Sequence, residues 1–320
     1  MRLVVLGGTK FLGRAVVEAA LARGHELTLF NRGQTNPELF PEVERLRGDR
    51  EGDLDALAGR EWDAVVDTSG YVPHAVRASA AALRSAGHYT FVSSISVYAS
   101  YSEPVTEDSP VSELGDAPAD ALAPDYSNYG ALKALCEDEV ERAFPGRALN
   151  VRAGVIVGPH DPTGRFTYWP HRIALGGEVL APGAPERAVQ LIDVRDLGEW
   201  IVRSAEAGLA GRFNAVSPPL PQRSLLEACR GEATFTYVDE DWLVERGVGQ
   251  WMELPLWLHT KEPGQERALE TDPSRAIAAG LAFRPLEETA EATLREAQLV
   301  DGVGLEPGRE AALLAEWRGR

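Results

Sequence analysis

Gly7-Gly8-Thr9-Lys10-Phe11-Leu12-Gly13 follows directly on the apolar run Met1–Leu6 and precedes Ala15, Val16, Val17, Ala19, Ala20 and Leu21 at helical spacing. Strand, glycine turn and helix in that order are the entry to a dinucleotide-binding βαβ unit. Glycine at 7 permits the tight turn, and the missing side chain at 8 lets the backbone approach a pyrophosphate. Gly13 lets the helix pack closely on the strand, and the helix N-terminus offers N–H donors and a positive dipole end to an anion. Thr9, Lys10, Phe11 and Leu12 complete the loop and are expected to line the same nucleotide.

The rest of the chain continues the alternation. Apolar runs at Glu26–Phe30, Val43–Arg47, Ala64–Asp67, Tyr89–Val92 and Ala148–Arg152 read as strands, with helices over about 73–85 and 128–143. Strands alternating with helices at this spacing predict an α/β fold, a Rossmann-type doubly wound parallel sheet. Residues 100–127, rich in Pro, Ser, Asp and Glu, read as a long surface loop. Beyond Gly158 prolines punctuate the chain. A helix over Asp193–Ala207 and a strand over Arg212–Val216 return to the sheet. Shorter helices over 224–229, 239–246, 272–280, 285–298 and 307–318 and a strand over 234–238 make a smaller C-terminal lobe. The expected division is 1–158 with 190–216 for the nucleotide domain, and 159–189 with 217–320 for the substrate lobe.

Composition narrows the partners. A net charge of −17 repels nucleic acid and anionic lipid, so a small-molecule substrate is expected, with no nucleic acid and no membrane partner. No apolar stretch approaches the ~20 residues that span a bilayer, and the N-terminus lacks the pattern of a signal peptide. A cytoplasmic location is the expectation. Cys136 and Cys229 have no metal-ligand spacing, nor do His25, His74, His88, His160 and His259, and no metal site is expected.

Tyr129-Gly130-Ala131-Leu132-Lys133 is the second feature that carries chemistry. Residues i and i+4 share a helix face, so phenol and ammonium stand one above the other. A neighbouring ammonium favours phenolate and is expected to lower the tyrosine pKa from about 10, making Tyr129 a general acid/base. With eight tyrosines in 320 residues and lysine at 10, 133 and 261 alone, chance supplies such a pair about 0.08 times. Ser93-Ser94 ends the strand that begins at Tyr89, on the edge where open α/β sheets bind ligands. Ser94 is the hydroxyl expected to orient a reacting carbonyl.

These motifs, with Ser93-Ser94-Ile95-Ser96-Val97-Tyr98, Val151-Arg152-Ala153-Gly154 through Gly158-Pro159 and Leu191-Ile192-Asp193-Val194-Arg195-Asp196-Leu197, resemble the extended or atypical short-chain dehydrogenase/reductases, the NAD-dependent epimerase/dehydratase group. The resemblance covers residues 1 to about 215. It implies that Tyr129 exchanges a proton with the substrate oxygen, that Lys133 bonds the nicotinamide ribose and tunes the tyrosine, and that Ser94 steadies the oxygen while hydride moves to or from nicotinamide. Asp49 resembles the carboxylate that holds the adenine amino group, and Thr68, Ser69 and Gly70 match residues that line the cofactor. Many members dimerise through the helix equivalent to that bearing Tyr129, which makes a homodimer an expectation.

An NAD-preferring site usually carries an acid at the end of the second strand. Here Asn31 stands there, Arg32 follows, and Lys10 adds a charge, so NADP(H) is expected over NAD(H). The Asp-Glu pair of nucleotide-sugar dehydratases is replaced by Ile95-Ser96. The arginine that grips a sugar-nucleotide diphosphate is replaced by Val189, with Arg187 nearby. The first departure disfavours the dehydratase reaction, and the second favours an NADP(H)-dependent oxidoreductase over an NAD(P)-retaining epimerase of a sugar or sugar nucleotide. A non-catalytic nucleotide sensor or RNA-associated protein, such as the chloroplast stem-loop binding proteins that resemble this superfamily, is disfavoured by the intact pair and the acidic charge. For the substrate wall, Arg165–Arg172 supplies Tyr168, Trp169, His171 and Arg172, although the aromatics serve equally to glue the lobe to the sheet and His171 suits packing. Trp251–Trp257 leans towards core rather than pocket, and Glu107-Asp108 reads as solvated charge.

Overall fold

Leu3, Val4, Val5 and Leu6 are almost wholly inaccessible to solvent, because the strand they form has neighbours on both edges and is covered on both faces. The computed structural model describes residues 1–229 and 231–320. In chain order, the first part comprises β1 (Arg2–Leu6), α1 (Leu12–Ala22), β2 (Glu26–Asn31), β3 (Glu44–Arg47), β4 (Ala64–Asp67), α2 (Pro73–Ala82), β5 (His88–Ser94), α3 (Tyr129–Ala143) and β6 (Ala148–Ala153). There follow β7 (Ile156–Val157), α4 (Tyr168–Ala174), β8 (Gly177–Pro182), β9 (Ala188–Val189), β10 (Ile192–Asp193), α5 (Val194–Glu206) and β11 (Gly211–Ala215). The last part contains β12 (Leu220–Pro221), α6 (Gln222–Ala228), β13 (Ala233–Val238), α7 (Glu240–Glu245), α8 (Ser274–Ala278), α9 (Leu286–Glu296) and α10 (Pro307–Arg318).

Seven strands form one sheet in the order β11-β6-β5-β4-β1-β2-β3, every pairing parallel. The order reverses between β1 and β4, the switch point at which such sheets leave a crevice. Register makes the crevice sharp-edged: Leu6 lies opposite both Phe30 and Asp67, so the loops after β1, β2 and β4 leave at one level. α1 and α5 cover one face, with Gly198 so close to the Ala15 backbone that a Cβ there would come within 2.9 Å of it. α2 and α3 cover the other.

A second core holds the smaller lobe. Phe166, Tyr168, Trp169, Ile173, Trp242 and Trp257 pack there with β8 and β13, which pair in parallel. One stretch that the sequence assigned to the lobe packs on the sheet. α8 packs on β11, and Ala276, Leu281 and Phe283 join the sheet core. The Trp200 indole donates to the Ala279 carbonyl, and the Asn214 amide donates to the carbonyl of Asp272. The sheet accepts this return because β11 is its edge strand and its outer flank needs cover.

The loop after β5 is likewise tied down. The Tyr101 hydroxyl donates to the Ile95 carbonyl at 2.6 Å, and its amide donates to Gly264. Glu107, expected to be solvated, is buried at 6% exposure. Its carboxylate accepts the Asn214 amide at 2.9 Å, and its carbonyl accepts from the buried Arg152 guanidinium. Asp108 keeps the expected exposure and pairs with Arg275 at 2.9 Å.

Candidate active site

The glycine loop forms as the spacing requires. Gly7 and Gly8 have φ of +109° and +93°, a region that suits glycine. A Cβ at Gly13 would come within 2.8 Å of the Gly8 amide nitrogen. Phe11, at φ 42°, sits in the left-handed region just before α1, and no side chain caps that helix. Asn31 braces the loop from the end of β2: its side-chain amide donates to the Gly7 carbonyl at 2.8 Å, and its oxygen accepts the Gly33 amide at 2.9 Å.

This loop forms one wall of a cleft of about 1930 Å³ that runs across the carboxyl edge of the sheet to the smaller lobe. Gly7, Gly8, Thr9, Lys10, Phe11, Leu12, Gly13, Asn31, Arg32, Asp49, Thr68 and Ser69 line it, and so do Ser94, Tyr129 and Lys133. Gly70 lies behind the wall. Its carbonyl accepts from the Lys133 ammonium at 2.7 Å, and the Val92 carbonyl accepts from the same group at 2.5 Å.

The electrostatics depart from the sequence expectation in one respect. Burial pushes the Tyr129 phenol up to about 12, seconded by Tyr71, against the smaller pull of Ser94 and Arg165 towards the anion. Proximity to an ammonium does not lower it as expected, because desolvation of the phenolate outweighs the favourable charges. Burial also brings Lys133 down to about 8, and its nitrogen lies 4.1 Å from the centre of the Phe91 ring. The Ser94 hydroxyl donates to that of Ser96 and accepts the Ser96 amide, each at 3.1 Å, which holds it at the cleft wall beside Tyr129. Ser93 Oγ, also on the cleft wall, is buried without a partner among the described residues.

Beneath this wall lies a polar network that the sequence did not announce. Arg50 clasps Asp67 with two 2.7 Å hydrogen bonds and donates also to Ser69 and Ser79. The Tyr89 hydroxyl donates to the same carboxylate at 2.9 Å. Burial works against the Asp67 charge, and the Arg50 guanidinium overcomes it, holding the carboxyl below its usual range. Asp67 ends β4 and accepts the Ser69 amide, so the clasp sets the loop that carries Gly70. The clue in the sequence was weak: an arginine beside Asp49 and a lone acid ending an apolar strand.

The expected substrate wall does not reach the cleft. Tyr168 and Trp169 are inside the lobe core, and the Trp169 indole donates to the Pro255 carbonyl. A ring nitrogen of His171 faces the Ala297 carbonyl, and Arg172 pairs with Glu310 at 2.6 Å. Helix α4 turns these residues inwards because the lobe needs large apolar groups to fill its core. From this region Arg165 alone projects into the cleft with its side chain, and Trp251, Met252 and Leu258 meet it from further along the chain. Arg187 does not replace the absent diphosphate arginine: it holds Gln222 and the Leu256 carbonyl. Among the described residues no cluster of potential metal ligands occurs, and no helix is long and apolar enough to cross a membrane.

The family model of the "NAD dependent epimerase/dehydratase family" matches residues 3–215. The chain belongs to this family. Its fold is shared with solved structures: the Bordetella bronchiseptica enzyme WbmH, in complex with NAD+, superposes with a TM-score of 0.63 at 18% identity, over 92% of this chain and 97% of that one. The UDP-glucuronic acid 4-epimerase of Bacillus cereus, in complex with NAD, gives 0.64 at 15% identity, over 91% and 97%. The human epimerase family protein SDR39U1, with NADPH, gives 0.59 at 21% identity, over 92% and 99%. In sequence, the chain is 26% identical over 218 residues to chloroplast stem-loop binding protein of 41 kDa b from Arabidopsis thaliana, covering 61% of this chain and 53% of that protein. The match thus spans about half the length of that relative.

Proposed function

We propose that this family member is a nicotinamide-dependent oxidoreductase that acts at an alcohol or carbonyl carbon of a small molecule and prefers NADP(H). The observation that carries the proposal is the convergence of Ser94, Tyr129 and Lys133 with the glycine loop in one cleft. The residues fit the cofactor. The loop's positive-φ glycines and the uncapped start of α1 suit a pyrophosphate, and the partnerless Ser93 hydroxyl fits a polar ligand. Bound nicotinamide supplies or accepts a hydride. Tyr129 then donates its phenolic proton to the substrate oxygen, or removes it in the other direction. Ser94 holds that oxygen towards the phenol, and Lys133 gives the buried site its positive charge.

Three features support NADP(H). No carboxylate stands at the end of β2, where Asn31 is engaged with the loop backbone. Lys10 and Arg32 are exposed, and among the described residues neither side chain has an ion-pair or hydrogen-bond partner. The Arg47 guanidinium lies directly over Gly33, adding a third cation where a 2′-phosphate would sit.

The fold shared with epimerases that hold NAD favours a second reading, an enzyme that keeps its cofactor and returns the hydride to the same substrate. A net charge of −17 speaks against a role on RNA. The deciding test is to denature the purified protein and count the released nucleotide by mass spectrometry. An empty protein that takes up NADPH before NADH supports the oxidoreductase. A near-stoichiometric release of NAD or NADP overturns it in favour of the epimerase.

A further inference from the structure

The cleft has two ends, and only one of them belongs to the nucleotide. Its cationic lining residues are Lys10, Arg32, Arg50, Lys133 and Arg165. Lys10 and Arg32 flank the glycine loop, Arg50 is neutralised by Asp67, and Lys133 is held by two carbonyls. Arg165 stands apart. Among the described residues its guanidinium has no hydrogen-bond or ion-pair partner. It is partly buried, on the side of the cleft where Trp251 and Met252 enter from the smaller lobe.

Two devices fix it there. Asp161 closes a turn by accepting the amide of Thr163 at 2.8 Å and its hydroxyl at 2.7 Å, which sets the backbone just before Arg165. The guanidinium lies 5.3 Å from the centre of the Trp251 ring. Trp251 presents that ring from a left-handed conformation, φ 66°, which is unfavourable for a bulky side chain and persists only where surrounding structure imposes it. Its amide donates to the Trp257 carbonyl at 3.1 Å, so a buried tryptophan anchors the exposed turn. Burial lowers the Arg165 pKa, and the nearby Asp161 carboxylate, which makes no direct bond to it, is the first charge to oppose that loss.

A partly desolvated guanidinium with no partner is poorly balanced by the protein alone, and an aromatic face leaves its edge free to form paired bonds with an oxyanion. We propose that Arg165, stacked on Trp251, is an anion subsite that binds a carboxylate or phosphate on the substrate and so brings the neighbouring alcohol or carbonyl carbon to Tyr129. This subsite rests on the proposed oxidoreductase for its purpose and names that enzyme's substrate class, a small molecule with an oxyanion near the reacting carbon. It does not depend on a nucleotide-sugar diphosphate, whose usual arginine position holds the buried Val189.

The test uses the full chain labelled with 5-fluorotryptophan, the Trp251 fluorine resonance being assigned by Trp251→Phe. Sodium phosphate and sodium acetate are titrated against sodium chloride at constant ionic strength, with and without NADPH. The expected result is a saturable shift of the Trp251 resonance with one or both oxyanions. Phosphate alone would mark a phosphoryl substrate, and acetate alone a carboxylate. Arg165→Gln should weaken the response by about tenfold or more, the scale of a charge-assisted bond, while Arg165→Lys keeps part of it. A resonance that moves no further than with chloride, or moves equally in folded Arg165→Gln, overturns the subsite. NADPH affinity is measured in the same samples. Failure there counts against the cofactor reading, while the response at Trp251 still decides the subsite.

Discussion

The ammonium of Lys133 donates to the carbonyl of Gly70 at 2.7 Å, tying the first turns of α3 to the loop after β4. That loop is set in turn by the clasp of Arg50 on Asp67. The face of α3 that carries Tyr129 is therefore held against the sheet edge by backbone carbonyls and a buried ion pair before any substrate arrives. Such a site is preorganised: its charges are already desolvated and directed.

Tyr129→Phe removes the proton donor and little else. Under the proposed mechanism it lowers kcat by about 10²–10⁴-fold, the contribution of general acid/base catalysis. The NADPH dissociation constant should stay within about twofold, because the phenol is not required for phosphate or ribose contacts. Steady-state kinetics on the substrate and a fluorescence titration with NADPH check the two halves separately, and unchanged turnover would remove Tyr129 from the mechanism.

The pKa of Tyr129, raised to about 12 by burial, sets the pH dependence. Below that value the phenol is protonated, so Tyr129 puts no break in the pH profile of reduction, which needs the donor, up to mildly alkaline pH, and any fall above about 8 comes from loss of the Lys133 charge. Oxidation needs the phenolate, whose fraction rises tenfold per pH unit in this range. Below the Lys133 pKa of about 8, a plot of log kcat/KM for alcohol oxidation should climb with a slope near one, and a slope of zero would contradict the assignment.

Lys133 links stability to pH. Burial lowers its pKa from 10.5 to about 8 in the folded protein, so between these values the unfolded chain binds more protons. Stability then rises with pH across that window. Below pH 8 the buried ammonium costs on the order of 3 kcal/mol, and above 10.5 that cost is gone. Denaturant unfolding from pH 7 to 10.5 should show wild type gaining on Lys133→Met as pH rises. A constant difference would place the lysine in a wetter site than its burial suggests.

Asp67→Asn breaks the buried clasp and leaves Arg50 charged and unpaired. The expected loss is about 3–5 kcal/mol, the usual consequence of stranding one member of a buried ion pair. Urea denaturation measures it directly, and a loss under about 1 kcal/mol would fit only a solvated pair.

Arg32→Ala tests the cofactor preference. Loss of one charge-assisted contact to a 2′-phosphate should weaken NADPH by roughly 10–100-fold, with little change for NADH. Arg47→Ala should act in the same direction. Equal losses for both nucleotides in binding titrations would mean that neither guanidinium reads the phosphate.

Local pattern determined a large part of this protein. The apolar run of β1, the glycines at 7, 8 and 13 and the alternation of strands with helices were sufficient for the doubly wound parallel sheet and for the glycine loop at its edge. Each is a short-range constraint: a glycine turn needs particular residues at fixed offsets, and strand and helix have distinct periods. Tyr129 and Lys133 were legible for the same reason, because four residues on a helix make one face. What surrounds those groups was decided by the tertiary structure. Tyr168 and Trp169 carry the composition of a binding wall and instead fill the lobe core, while Arg165, a few residues earlier, reaches the cleft. Glu107 looked like loop charge until β11 and Arg152 closed around it, and α8 left its neighbours in the chain to cover the sheet edge. Burial decides such matters, and burial is a sum over contacts from distant segments. It also reversed the expected shift at Tyr129, since desolvation acts through everything packed around a group and a neighbouring charge acts only along one line.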